Sequence, residues 1–229
     1  MTSDDQKRAA ALAALEFVEP GMKLGLGTGS TAAHFIDLLG DRAKGWALIC
    51  VPTSEKTARQ ARKRGLVLTT LDETPRLDLT VDGADELDDR LDLIKGGGGA
   101  LLREKIVAAS SRQMIVIADG AKQVAMLGRF PLPVEIVPFG AAVTIARIGT
   151  ALRPMGRHVL PALRMRDGQP FVTDNGNYVV DLALERIERP ADLAALLSGT
   201  PGVVEHGLFI GMASIAIIGA ADGVRILRR

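Results

Sequence analysis

The sequence predicts an α/β fold: a mostly parallel, Rossmann-like sheet with helices on both faces, joined to a smaller α+β domain. Three observations carry that expectation. Short apolar runs alternate with helix-length segments from Lys23 to Ala118, the rhythm of βαβ units. Glycine-rich turns follow predicted strands at Gly25–Gly29 and Gly96–Gly99, the strand ends where parallel sheets keep their ligands. Beyond Pro131-Leu132-Pro133 the texture changes to short runs punctuated by Asp167-Gly168 and Asp174-Asn175-Gly176-Asn177, which are hairpin signals. Residues 1–130 and 205–229 are therefore assigned to the α/β body and residues 131–204 to the smaller domain.

Each element follows from local chemistry. Asp4 to Val18 is an Ala/Leu-rich helix stopped by Pro20-Gly21, and Lys23 to Leu26 is a strand feeding the turn Gly27-Thr28-Gly29-Ser30. Thr31 to Leu39 reads as a helix, Ala47 to Val51 as a strand, Ser54 to Arg64 as a helix ended by Gly65, and Leu66 to Thr70 as a strand. Leu77 to Val81, Leu91 to Ile94 and Met114 to Ala118 continue the strands, with a helix from Ala100 to Ala109. In the second half a helix spans Ala141 to Leu152. Short strands are expected around His158 to Arg164, Phe171 to Thr173 and Tyr178 to Leu182, then a helix at Pro190 to Leu197 and a strand pair from Val203 to Ile218.

Composition narrows the function classes. With 229 residues, 47% hydrophobic and 24% charged, the chain sits inside the globular range and can bury a sizeable core. Its 28 Lys and Arg nearly balance 27 Asp and Glu, and no basic block forms, which argues against nucleic-acid binding. Cys50 is the only cysteine and lies in a strand pattern, so it is expected in the core and fits a reducing compartment. The polar start and the absence of a spanning run point to a cytoplasmic protein. The longest uncharged stretch, Gly207 to Ala221, is too short for a membrane helix, is interrupted by Gly211 and Gly219, and reads as paired buried strands.

Three segments carry chemistry. Gly25-Leu26-Gly27-Thr28-Gly29-Ser30-Thr31 sits between a strand and a helix start, where backbone N–H groups and the helix dipole favour an anion and two hydroxyls add donors. Neither the dinucleotide fingerprint nor the P-loop fits: Ser30 stands where the former needs glycine, and no Gly-Lys-Ser/Thr closes the turn. Val81-Asp82-Gly83-Ala84-Asp85-Glu86 could turn two carboxylates into one pocket, though alone it also reads as a solvated acidic turn. It is not a calcium loop, because Leu87 occupies the sixth position from Asp82. Ile94-Lys95-Gly96-Gly97-Gly98-Gly99 places a cation beside four glycines, a costly sequence to order unless something approaches the backbone closely. Glu104 could reach back over that loop, or be an ordinary surface charge.

Together with Ala121-Lys122-Gln123, Phe130 to Glu135 and Val172 to Asn177, these segments closely resemble ribose-5-phosphate isomerase, type A, in order along nearly the whole chain. The resemblance implies a cofactor-free, metal-free aldose–ketose isomerase acting on a pentose phosphate. It implies Glu104 as general base, with Lys95, Asp82 and Asp85 as its catalytic partners. It also implies substrate binding by Thr28, Gly29, Ser30, Thr31, Gly83, Ala84, Gly96, Gly97, Gly98 and Lys122, together with Asp82, Asp85 and Lys95. A homodimer or higher homo-oligomer is expected, with neither nucleic acid nor membrane as partner. Two rival functions stay open at this point: a phosphosugar-sensing module, and another phosphosugar enzyme such as a deaminase. His34, His158 and His206 lack metal-ligand spacing, His34 could help position a loop but reads first as a packing residue, and Lys7 could approach an anion from the first helix but reads first as a solvated helical charge.

Overall fold

The computed structural model describes residues 1–155 and 159–229. Its helices are α1 (Ser3–Ala14), α2 (Ser30–Arg42), α3 (Glu55–Lys63), α4 (Leu101–Ala109), α5 (Ala141–Leu152) and α6 (Pro190–Ser198). The strands in the first half are β1 (Lys23–Leu26), β2 (Ile49–Pro52), β3 (Val67–Leu68), β4 (Leu79–Gly83), β5 (Glu86–Leu87), β6 (Leu93–Ile94), β7 (Met114–Asp119) and β8 (Leu132–Ile136). Those that follow are β9 (Ala162–Leu163), β10 (Met165–Arg166), β11 (Gln169–Pro170), β12 (Tyr178–Leu182), β13 (Val203–His206), β14 (Leu208–Phe209), β15 (Ile215–Ala220) and β16 (Gly223–Arg228).

A seven-stranded sheet of order β16-β15-β7-β4-β1-β2-β3 forms the body. All its pairings are parallel except that of β15 with β16. Along β7 the side chains alternate between faces: Ile115 and Ile117 join the core under α1 and α2, while Met114, Val116 and Ala118 join the opposite core with Leu93 and Phe209. Helix α4 adds Ala108 to that second face, so the sheet is covered on both sides as expected. A four-stranded sheet, β13-β8-β12-β9, packs its own core against α5 and α6, and β14-β6-β5 forms a third, small sheet. Among the described residues no helix is long and apolar enough to cross a membrane.

Chain order reverses between β1 and β4, since β1 leads outward to β2 and β3 while β4 leads the other way to β7. A reversal of this kind opens a crevice at the carboxyl ends of the two strands. Their close approach depends on small residues. A Cβ at Gly25 would overlap Thr80 Oγ1 and the Val107 side chain, so glycine there lets α4 settle on the sheet.

Several expected elements differ. Leu91 has φ +58°, so the strand begins only at Leu93, and it pairs antiparallel outside the main sheet. Strand β8 was not anticipated because it contains Pro133; β13 pairs only with residues from Val134 onward, leaving the proline beyond that ladder's end. Phe171–Thr173 contributes only an isolated bridge, Val172 to Tyr178. Val203 to Ile218 is not a strand pair: Gly207 and Gly211 divide it into β13, β14 and β15, which join three different sheets. The apolar run Gly207–Ala221 is therefore buried strand, but not strand paired with itself. The final strand β16, announced by Asp222-Gly223, was also not anticipated. His158 lies outside the described residues. Cys50 is fully buried in β2, where burial pushes its thiol up to about 12.

Gly25→Ala should lower the unfolding free energy by about 1–3 kcal/mol, the usual cost of overpacking. Gly149→Ala, where the nearest atom to a new Cβ is 3.5 Å away in a helix, should instead gain roughly 0.5–1 kcal/mol. Denaturant unfolding of the two variants checks both signs.

Candidate active site

Gly27, at the end of β1, packs directly on Asp82 of β4; any side chain there would overlap the Asp82 carboxylate. That carboxylate is fully buried. Its Oδ1 accepts the N–H groups of Thr28 (3.1 Å) and Gly83 (2.7 Å), and its Oδ2 faces Lys95 Nζ at 2.9 Å. Lys95, projecting from the residue after β6, also donates to the Gly83 carbonyl at 2.6 Å and lies 3.5 Å from Glu104 Oε2. Beneath it is the ring of Phe209, 5.4 Å from Nζ to centroid. Glu104, in the first turn of α4, is 3% exposed, and among the described residues its Oε2 and Asp82 Oδ2 face no polar partner except the Lys95 ammonium.

One ammonium thus serves two buried carboxylates. Burial, then the Asp82 charge and, more weakly, Asp85, push Glu104 from the ordinary 4.5 up to about 8, against the pull of Lys95. Burial also raises Asp82, although Lys95 and two backbone N–H groups oppose it. For Lys95, burial disfavours the charge, but Asp82 and Glu104 outweigh it and hold the ammonium above its usual value. Neutralising the cluster needs one proton on the two carboxylates, and Glu104, with fewer donors than Asp82, is the better holder.

The cluster opens into a cleft of about 120 Å³. Its wall includes Thr28, Gly29, Ser30 and Thr31 from the first glycine turn, Gly83, Ala84 and Asp85 after β4, Lys95 to Gly98, Glu104, and Lys122. All the predicted site residues meet here except that Asp82 is not on the wall; it lies behind Lys95. Gly97 donates to Asp85 Oδ2 at 2.7 Å, which ties the second acidic residue to the glycine loop. Gly29 (φ +131°) and Gly96 (φ +104°) hold backbone conformations that side chains resist. Thr28 Oγ1 is held by the hydroxyls of Thr53 (2.8 Å), Ser54 (2.8 Å) and Thr57 (3.1 Å).

Of the two readings of Lys7, the structure favours the one that brings it to the cleft. It is not a freely solvated helical charge but lines the cleft from α1, 4.0 Å from Asp119. Its spacing within α1 carries no signal of that placement, because only the docking of α1 on the sheet brings it there. His34 pairs across the surface with Asp4 at 2.9 Å, linking α2 to α1 outside the cleft.

The second half braces this site in ways the sequence did not disclose. Buried Glu135 accepts from Thr173 Oγ1 (2.9 Å), Asn175 Nδ2 (3.1 Å) and Asn177 Nδ2 (2.9 Å), fixing the Thr173–Asn177 turn. Arg103, next to Glu104, then donates to Asn175 Oδ1, the Asp174 carbonyl and Glu55. Lys105, on the other side of Glu104, lies over the same Phe209 ring, 5.0 Å from Nζ to centroid, and pairs with Glu205 at 2.7 Å. His206, beside Lys105, is pushed down to about 4 by burial and by that ammonium.

Comparison with known proteins gives the family of the chain. The family model described as ribose 5-phosphate isomerase A (phosphoriboisomerase A) matches residues 49–223. Ribose-5-phosphate isomerase A of Nitrobacter hamburgensis is 57% identical over 231 residues, covering 100% of both chains. The ribose 5-phosphate isomerase structure from Plasmodium falciparum superposes with a TM-score of 0.94 at 38% identity over 99% of both chains. A D-ribose-5-phosphate isomerase solved with phospho-erythronic acid gives a TM-score of 0.94 at 38% identity over 100% of both. The chain belongs to the ribose 5-phosphate isomerase A family, whose members are aldose–ketose isomerases.

Proposed function

We propose that the cleft interconverts D-ribose 5-phosphate and D-ribulose 5-phosphate through an enediolate, with Glu104 carrying the proton between C2 and C1. The observation that carries this reading is the buried Asp82–Lys95–Glu104 cluster opening onto a glycine-lined cleft. Glu104 takes the proton from C2, and the electron pair of that C–H bond becomes the C1–C2 double bond as charge moves to O1. The same carboxyl then returns the proton to C1, while the O2 hydroxyl proton passes to O1 and O2 becomes the carbonyl. Such proton transfer contributes about 10²–10⁴ in rate, and a group poised near neutrality serves both directions. Lys95 and the loop amides stabilise the charge on O1 and O2. The Lys95–Asp82 pair handles the oxygen protons, including the one moved when the sugar ring opens.

The phosphate is assigned to the mouth of the cleft. There the N-terminus of α2, the hydroxyls of Ser30 and Thr31, and the ammonium groups of Lys7 and Lys122 converge on the wall. Holding the distant phosphate orients C1 and C2 against Glu104. Phospho-erythronic acid, bound by one relative, fits the same logic, since its carboxylate spreads charge over two oxygens as an enediolate does.

Glu104→Gln should lower kcat by about 10² or more while substrate-analogue binding survives, and exchange of the C2 proton with deuterated solvent should vanish with it. Turnover close to wild type would remove Glu104 from the chemistry. Lys7→Ala and Lys122→Ala should mainly raise KM, since a phosphate grip serves ground and transition states alike; a fall in kcat at constant KM would place them at the reacting carbons.

The wild-type kcat/KM should rise with pH, reach half its maximum near the Glu104 value of about 8 and level off above it. Stability should move oppositely. Between the ordinary 4.5 and about 8 the folded protein holds a proton at Glu104 that the unfolded chain releases, so stability falls as pH rises through that window. Thermal midpoints of Glu104→Gln should show a shallower decline from pH 5 to pH 8 than wild type.

A further inference from the structure

The glycine loop has no side chain by which it can be held, yet it must keep one shape. Four glycines lose more backbone freedom on ordering than any other residues, and the loop's own turn bond, from Gly99 N–H to the Gly96 carbonyl (2.9 Å), leaves the Gly97 carbonyl to external contacts. Arg164, between β9 and β10, supplies them. Its Nη1 donates to the carbonyls of Gly96 (3.0 Å) and Gly97 (3.1 Å). Its Nε and Nη2 are gripped by Asp181 of β12, at 2.8 and 2.5 Å, so the guanidinium plane is set from outside the loop. The Arg164 backbone is itself clamped, its N–H on Val179 O (2.8 Å) and its carbonyl accepting Phe171 N–H (2.9 Å). Phe171 in turn lies against Gly99, where any Cβ would overlap its ring.

The carbonyl contacts determine where the loop's N–H groups point. In a trans peptide the C=O and N–H are antiparallel. The Gly96 carbonyl shares its peptide with Gly97 N–H, which reaches Asp85, and the Gly97 carbonyl shares its peptide with Gly98 N–H. Gly98 lines the cleft, and among the described residues its N–H has no acceptor.

We propose that Arg164 is a positioning residue for the isomerisation: by holding the Gly96 and Gly97 carbonyls on the side away from the cleft, it keeps Asp85 fixed and the Gly98 N–H aimed at the oxygen on which the enediolate charge develops. This inference rests on the enediolate reading above. Lysine cannot substitute, because a point charge cannot grip Asp181 bidentately and serve two carbonyls at once.

The test compares Arg164→Lys, Arg164→Ala and Asp181→Asn for kcat, KM and the Kd of phospho-erythronic acid, with Glu104→Gln alongside. Arg164→Lys and Arg164→Ala should lose about 10- to 100-fold in kcat with KM held within about threefold, less than outright removal of an oxyanion donor. Binding of phospho-erythronic acid should weaken by a factor similar to the kcat loss, whereas a loosened fold would raise KM as well. Asp181→Asn, which keeps the guanidinium but frees its orientation, should fall between; if Arg164→Ala does not fold, this variant and Arg164→Lys carry the test. Turnover within twofold of wild type in Arg164→Lys and Asp181→Asn, or a rise in KM at unchanged kcat, overturns the role of Arg164. If Glu104→Gln is inactive in that case, the enediolate reading stands without it; if Glu104→Gln is active too, that reading falls as well.

Discussion

Lys95 places one positive charge between two buried carboxylates, Asp82 and Glu104, and the surrounding architecture serves to keep those three groups dry and in register. A buried ion cluster of this kind is a poor source of stability, because removing the charges from water costs about as much as their attraction returns. Its value lies in the imbalance. With two carboxylates against one ammonium, the proton affinity of Glu104, which faces the cleft, is raised well above that of an ordinary carboxylate.

The scaffold delivers the three groups from three separate elements. Asp82 is the penultimate residue of β4 at the reversal of strand order, Lys95 follows β6 of the small sheet, and Glu104 lies in the first turn of α4. Each approach depends on an absent side chain: Gly27 admits the Asp82 carboxylate, and Gly25 lets α4 come down on the sheet. The second half of the chain completes the arrangement. Glu135 fixes the turn that Arg103 grips, so the residue beside Glu104 is tied to the four-stranded sheet, and Arg164 ties the glycine loop to that sheet as well. The geometry of the cleft is therefore set by contacts between the body and the second sheet, not by the body alone.

Much of the fold was legible in the sequence because its signals are local. The apolar runs at Lys23–Leu26 and Met114–Ala118, the helix at Ala141–Leu152 and the glycine turns all declare themselves within a few residues. The site's principal residues were legible for a different reason: the acidic turn, the Lys95 glycine run and Glu104 match a family pattern in order. What stayed hidden depends on distant contacts. Pro133 disguised β8, because a proline is excluded from a strand only where its missing N–H would be needed, and that depends on how far β13 extends. Lys7 reaches the cleft only through the docking of α1, and Asp82 withdraws behind Lys95 only once β1 and β4 pair. Arg164 carries no motif at all; its meaning comes from the two carbonyls it meets.

The protonation of Glu104 itself tests the account most directly. With ¹³C in the glutamate side-chain carboxyls, the Glu104 resonance, assigned by its loss in Glu104→Gln, should stay at its protonated position at pH 6 and titrate near pH 8. A resonance already at the ionised position at pH 6, titrating near the ordinary 4.5, would contradict the claim that the Asp82–Lys95–Glu104 cluster raises the proton affinity of Glu104.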